Sequence, residues 1–279
     1  DIIYKACYQS RFISPAIAPT IDKSMIIDRA RILDLSAQMD ADGLLKCDLP
    51  AGKWTIMRFG HTTTGMENAP APKTGRGLEC DKLSKEGIEA QYDGMMRKLI
   101  ADVGPEAGKA LIRTHIDSWE NGAQNWTRAM RKEFQARRGY DMLPYLPVYS
   151  GRVVDSLEIS ERFLWDLRQT ISDLVVENYA GHMRELAQAQ GVGLSIEAYG
   201  GPCDDLPYGG RADEPMGEFW IGGDQYALWK HTRLTLDVVP GRGAGFSLEA
   251  PDGVRFLIRS RVFSDDEYRD LEPVTLGQS

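Results

Sequence analysis

Between Ser84 and Met216 the apolar pattern switches repeatedly between the period of a helix and that of a short buried strand, which restricts the fold more than any other feature. Ser84 is a helix-capping residue, and Ile88, Tyr92, Met95, Met96 and Leu99 fall on one helical face before Gly104 and Pro105 end the run. Residues 111–114 read as a strand. A helix is predicted from about residue 127 to 138, with Gly139 as its stop. A longer one spans about 160–190, carrying Phe163, Leu164, Leu167, Ile171, Leu174 and Val175 at helical spacing. Gly191 closes it, and residues 192–196 form the next strand. Repetition of strand, loop, helix and strand predicts parallel strands joined by helical crossovers. The expected class is therefore α/β, a barrel of the (β/α)8 type. An open doubly wound sheet would carry a Gly-rich phosphate turn after its first strand, and none is present.

Polar residues gather where the strands end, as they do in barrel enzymes. Residues 111–114 run into His115-Ile-Asp117-Ser-Trp119-Glu120, residues 192–196 into Glu197-Ala-Tyr199, and Pro215-Met-Gly into Glu218-Phe-Trp220. Carboxylate beside aromatic, three times over, points to sugar chemistry. Sugar rings pack C–H patches on indole and phenol faces, and glycosidic hydrolysis needs one carboxyl group to protonate the leaving oxygen and another to activate water or attack carbon. Phe134, Phe163 and Trp165 lie within predicted helices and read as core, and His182 and His231 as surface or core.

A net charge of −8 argues against a nucleic-acid partner, since Arg131-Lys132 and Arg137-Arg138 sit among acids on what reads as a solvated helix face. No apolar run approaches the roughly 18 residues of a membrane helix. The cysteines Cys7, Cys47, Cys80 and Cys203 form no CxxC pair and read as free thiols.

Residues 1–64 read as short β pieces, with 54–59 alternating in the manner of a half-buried strand, and residues 60–77 as a long loop. The expected domains are a β-rich accessory segment over 1–64, a partial barrel over 65–234 and an unassigned segment over 235–279. Within the last, residues 246–258 resemble a β-hairpin around Pro251-Asp-Gly253. The opening at Asp1 has neither a signal peptide nor an initiator Met, and reads as mid-domain in a longer protein.

The run His115–Glu120, the following Asn121-Gly-Ala-Gln124-Asn125-Trp126-Thr, Arg137-Arg-Gly-Tyr-Asp141, Glu161–Asp166, Pro215–Trp220 and Thr74-Gly-Arg76-Gly-Leu-Glu79-Cys-Asp81-Lys82-Leu together resemble the catalytic region of glycoside hydrolase family 106, over about residues 30–225. The resemblance implies an inverting α-L-rhamnosidase acting on plant polysaccharides or rhamnosides, calcium as cofactor, and export to the periplasm or exterior. It implies Glu120 as general acid and Glu218 as the base that activates water. Glu197 is left as a calcium ligand with Asp117, a rhamnose hydroxyl acceptor, or the base with Glu218 as its ligand neighbour. His61, Arg76, Asp81, His115, Asp117, Trp119, Asn125, Glu197, Tyr199 and Trp220 are the expected sugar contacts.

Residues 84–241 leave room for about four or five of a barrel's eight strands. A second expectation is therefore a non-catalytic carbohydrate-binding remnant. A third, a retaining glycosidase on another sugar, would place its carboxyl groups about 5 to 5.5 Å apart, against roughly 6.5 to 9.5 Å for inversion.

Overall fold

The computed structural model describes residues 21–120, 122, 124–216, 227, 230–240 and 254–269. The chain divides into two compact units, Asp1–Gly217 and Glu218–Ser279. The first carries a parallel sheet and its crossover helices.

Three parallel strands form that sheet, in the order β2 (Arg113–Ile116), β4 (Gly193–Glu197), β5 (Glu214–Met216). A separate parallel pair joins β1 (Ile26–Ile27) to β3 (Val153–Val154). Asp155, in the left-handed region at φ 57°, holds the pair together: its Oδ1 accepts from the Arg29 N–H at 2.8 Å.

The helices follow from capping and periodicity. Ser84 caps α1 (Lys85–Gly94) by accepting from the Gly87 N–H at 3.2 Å. Gly87 is required for close approach, since a Cβ there would lie 2.4 Å from the Asp81 carbonyl. The single helix predicted over 84–104 is broken at Met95, where φ −136° and ψ −61° leave the helical region, and α2 (Met96–Val103) starts afresh. Helix α3 (Met130–Arg138) stops at Gly139, φ 80°, whose N–H donates to the Gln135 carbonyl. The long predicted helix is present in three parts: α4 (Leu157–Leu174), a π-helical turn at Val175–Gly181, and α5 (His182–Ala189). A short α6 (Asp205–Gly209) leads into β5.

The core lies between α4 and its neighbours. Phe163 is 1% exposed, with Tyr145 stacked at 5.4 Å, Phe134 tilted at 5.7 Å and Tyr149 edge-on at 6.2 Å. Trp165, expected in the core, is instead half exposed beneath the Arg168 guanidinium. The pair Arg137 and Arg138, read from sequence as a solvated face, instead ties α3 to α4 and the π turn. Arg137 binds both oxygens of Glu177, at 3.0 and 2.6 Å, and Arg138 binds Asp173 and the Thr170 hydroxyl.

The β-rich reading of the first 64 residues is not met in the described part, which has one two-residue strand, short 3-10 turns and an isolated bridge between Met39 and Leu45. Residues 54–59 alternate like a strand but pair with no strand among the described residues, and Trp54, Ile56 and Phe59 are exposed. In the second unit, β6 (Thr232–Pro240) pairs antiparallel with β7 (Val254–Val262), followed by α7 (Asp265–Arg269). β7 is thus paired with 232–240, and the hairpin expected around Pro251-Asp-Gly253 lies, up to Gly253, outside the described residues. The salt bridge from Arg261 brings the Glu267 carboxyl down to about 2.

Several carboxyl groups of the first unit are held below their ordinary values. The Arg137 guanidinium does this for Glu177, and Arg131 for Asp141. Burial pushes Asp213 up, but the Leu194 N–H and Arg184 outweigh it. Each group binds protons less tightly folded than unfolded. The stability they add is complete above the unfolded values, 3.8 for Asp and 4.5 for Glu, and is lost as pH falls through the lower folded values. The Tm is expected to hold level as pH is lowered to the Glu value and then to decline. A Tm unchanged down to pH 3 would contradict this.

Candidate active site

Parallel pairing sets His115 opposite Ser195 and Ile116 opposite Ile196, so β2 and β4 finish side by side. On β2, Thr114 and Ile116 turn inward and His115 outward. His115 Nδ1 lies 2.9 Å from Ser195 Oγ, which is also 3.4 Å from the Thr114 carbonyl. The other ring nitrogen, Nε2, lies 4.0 Å from Glu197 Oε1. The other oxygen of Glu197 accepts from the Tyr199 hydroxyl at 2.7 Å, and this bond to a carboxylate raises the phenol's pKa.

Past the end of β2 the chain turns on local hydrogen bonds. Asp117 Oδ1 accepts from the Ser118 N–H at 2.7 Å, the Ser118 hydroxyl donates to Glu120 Oε1 at 3.2 Å, and Trp119 Nε1 donates to the Gly122 carbonyl at 2.7 Å. Gly122, at φ 62°, adopts the left-handed backbone the turn needs. Glu120 is exposed at the rim, where a leaving-group oxygen could reach it.

His115, Asp117 and Glu197 each place a ligand atom within 4.8 Å of the other two. The two carboxylates suit a hard divalent cation such as calcium, while the imidazole suits softer ions and is not a usual calcium donor. Asp117 and Glu197, the two expected ligands, are therefore the part of this trio that fits calcium.

The structure separates the other expected contacts. His61, Asp81 and Asn125 line a different cleft of about 1510 Å³, where the His61 ring lies 6.2 Å from Trp126. Its lining holds none of the strand-end carboxylates Asp117, Glu120 and Glu197. Asp81 accepts from the Thr127 hydroxyl at 2.6 Å and from the Leu83 N–H at 3.0 Å. Arg76 stands apart on an exposed loop. Glu218 and Trp220 lie outside the described residues. Lys82, Glu79 and Tyr179, which pack beneath Trp119, were not among the expected contacts, although the run Glu79-Cys-Asp81-Lys82 contains two of them.

Residues 4–235 match the family model described as alpha-L-rhamnosidase, glycoside hydrolase family 106. A model for a domain of unknown function, DUF779, matches residues 210–262, which include the β6–β7 pair. A protein of Formosa agariphila named "Putative beta-glucuronidase" is 41% identical over 203 residues, covering 73% of this chain and 18% of its own length. The solved rhamnosidase of Novosphingobium sp. PP1Y superposes with a TM-score of 0.58 at 30% identity, covering 67% of this chain and 19% of that one. The chain thus spans about a fifth of the length of these relatives. With a family match over most of its length, the chain belongs to glycoside hydrolase family 106, the α-L-rhamnosidase family.

Proposed function

We propose that this chain supplies the catalytic carboxyl groups of a site that hydrolyses terminal α-L-rhamnosides with inversion. The observation that carries the reading is the meeting of Asp117, just past β2, with Glu197 at the end of β4, whose carboxylate Tyr199 bonds, while Trp119 and Glu120 follow Asp117 in the same loop. Carboxylates from neighbouring strand ends can address one sugar ring from different sides, which residues along a single strand cannot.

In this reading Glu120 protonates the departing glycosidic oxygen, and Glu218 takes the proton of the attacking water. Trp119 offers an indole face to the ring, and Tyr199 orients Glu197 through its hydroxyl. Asp117 and Glu197 would hold calcium, which when bound supplies positive charge that gathers and orients sugar hydroxyls. The sheet is proposed as part of a (β/α)8 barrel, and the setting as periplasmic or extracellular. Among the described residues no helix is long and apolar enough to cross a membrane.

A second reading, a sugar-binding remnant without turnover, is favoured by one observation: the sheet that carries the site has three strands among the described residues. The name of the Formosa relative adds a β-glucuronide as the alternative substrate. The test is release of nitrophenol from the 4-nitrophenyl α-L-rhamnoside and β-D-glucuronide by the purified chain, with calcium and with a chelator. Release is expected from the rhamnoside, falling about 10²-fold on chelation and in Asp117→Asn or Glu197→Gln. Release from the glucuronide alone would reassign the substrate. Rhamnose binding without release would establish the second reading.

A further inference from the structure

Beneath the strand-end site lies an ion pair that the proposed chemistry does not use. Lys82 is 3% exposed and pairs with Glu79, whose side chain is 11% exposed. The Lys82 ammonium is 5.7 Å from the centroid of the Trp119 ring and also 5.7 Å from that of Tyr179, while the two rings meet edge-on at 6.3 Å. Taking two charges out of water is costly, and an apolar pair of the same volume would commonly be as stable or more so. An ion pair in this place therefore calls for a role beyond stability.

The backbone around Lys82 is fixed from two directions. The Lys82 N–H donates to Gln124 Oε1 at 3.0 Å, and the Gln124 amide returns a bond to the Cys80 carbonyl at 3.1 Å. From the other side, Asn178 Nδ2 donates to the Leu83 carbonyl at 2.8 Å. Asn178 and Tyr179 both belong to the π-helical turn, and such turns occur frequently at functional sites. Three successive residues there serve three partners: Glu177 binds Arg137, Asn178 holds the Lys82 segment, and Tyr179 flanks the ammonium.

The geometry points to Lys82 as a positioning residue: its ammonium, steered by Glu79, locks the Trp119 indole against Tyr179 and so sets the Trp119–Gly122 turn that presents Glu120. A cation is attracted to the face of an aromatic ring, so the charge selects one orientation of the indole where an apolar side chain would select none. The structural part stands alone, and its catalytic consequence rests on the hydrolase reading above.

The test uses the 279-residue chain and the variant Lys82→Met, which keeps an unbranched side chain and removes the charge. The near-UV circular dichroism of the indoles is expected to change, and the change to vanish when the same substitution is made in a Trp119→Phe background. Rhamnoside turnover is expected to fall about tenfold in kcat with little change in KM, and by no further factor in the Trp119→Phe background. An unchanged indole spectrum would overturn the proposal, as would equal losses of turnover in both backgrounds, which mark a role in folding alone. Should Lys82→Met fail to fold, Lys82→Gln, which keeps a donor for Glu79 without the charge, reads the same indole signal. A wild-type chain that cleaves no rhamnoside would count against the hydrolase reading, while the spectra would still decide the role of Lys82.

Discussion

Glu120→Gln is expected to lower hydrolysis of an alkyl α-L-rhamnoside by about 10³-fold, within the range that general acid catalysis supplies. Glutamine keeps the size of the side chain and retains an oxygen for the Ser118 hydroxyl, which in the structure donates to Glu120 Oε1 at 3.2 Å, so the turn is kept while the proton is lost. The diagnostic contrast is between leaving groups. An alkoxide cannot depart unprotonated, whereas nitrophenolate can, so the loss on the 4-nitrophenyl substrate should be far smaller than on the alkyl one. Equal losses on both substrates would assign Glu120 a binding role instead. The kinetic comparison requires only that the variant retains the wild-type circular dichroism.

The largest effect on stability is expected for Phe163→Ala. The ring is 1% exposed and touches Phe134, Tyr145 and Tyr149, so its removal deletes contacts with three rings that cannot all move into the space. The cost is about 3–5 kcal/mol, the sum of lost transfer energy and an uncollapsed cavity. For a unit of this size that corresponds to a fall in Tm of roughly 10 °C. Trp165→Ala, two residues along α4 on its half-exposed side, is expected to change stability by no more than about 0.5 kcal/mol. A loss at Trp165 equal to that at Phe163 would mean that the outer face of α4 is covered.

Much of the sheet and its crossovers was legible because the responsible signals are local. Gly139 and Gly191, both at positive φ, stop helices where their lack of a side chain permits it, and the apolar spacing of Phe163, Leu164, Leu167, Ile171 and Leu174 marks the buried stripe of α4. His115, Asp117 and Glu197 could be grouped because they follow strand ends, and parallel pairing brings strand ends together. Long-range partners left no such trace. Residues 54–59 alternate like a strand, but a strand exists only where another backbone completes its hydrogen bonds. The break at Met95 leaves the helical apolar period intact on both sides and so is invisible to it. Nothing local marks Lys82 as buried, because Tyr179, nearly a hundred positions along, and Trp119 approach it only in the folded chain.

The π-helical turn at Val175–Gly181 acts as a phase shifter between the two halves of one long rod. An α-helix advances about 100° per residue, so the extra residue accommodated in this turn rotates His182–Ala189 by that angle relative to an unbroken continuation of α4. The upstream half can then keep its apolar stripe on Phe134 and Tyr145, while the downstream half directs His182 to Glu89 on α1, at 2.8 Å, and Arg184 to Asp213 before β5, at 2.6 Å. A one-residue deletion here would restore regular helical bonding and yet misalign everything docked on α5. Helical content alone would therefore not report whether the floor beneath Trp119 had been lost.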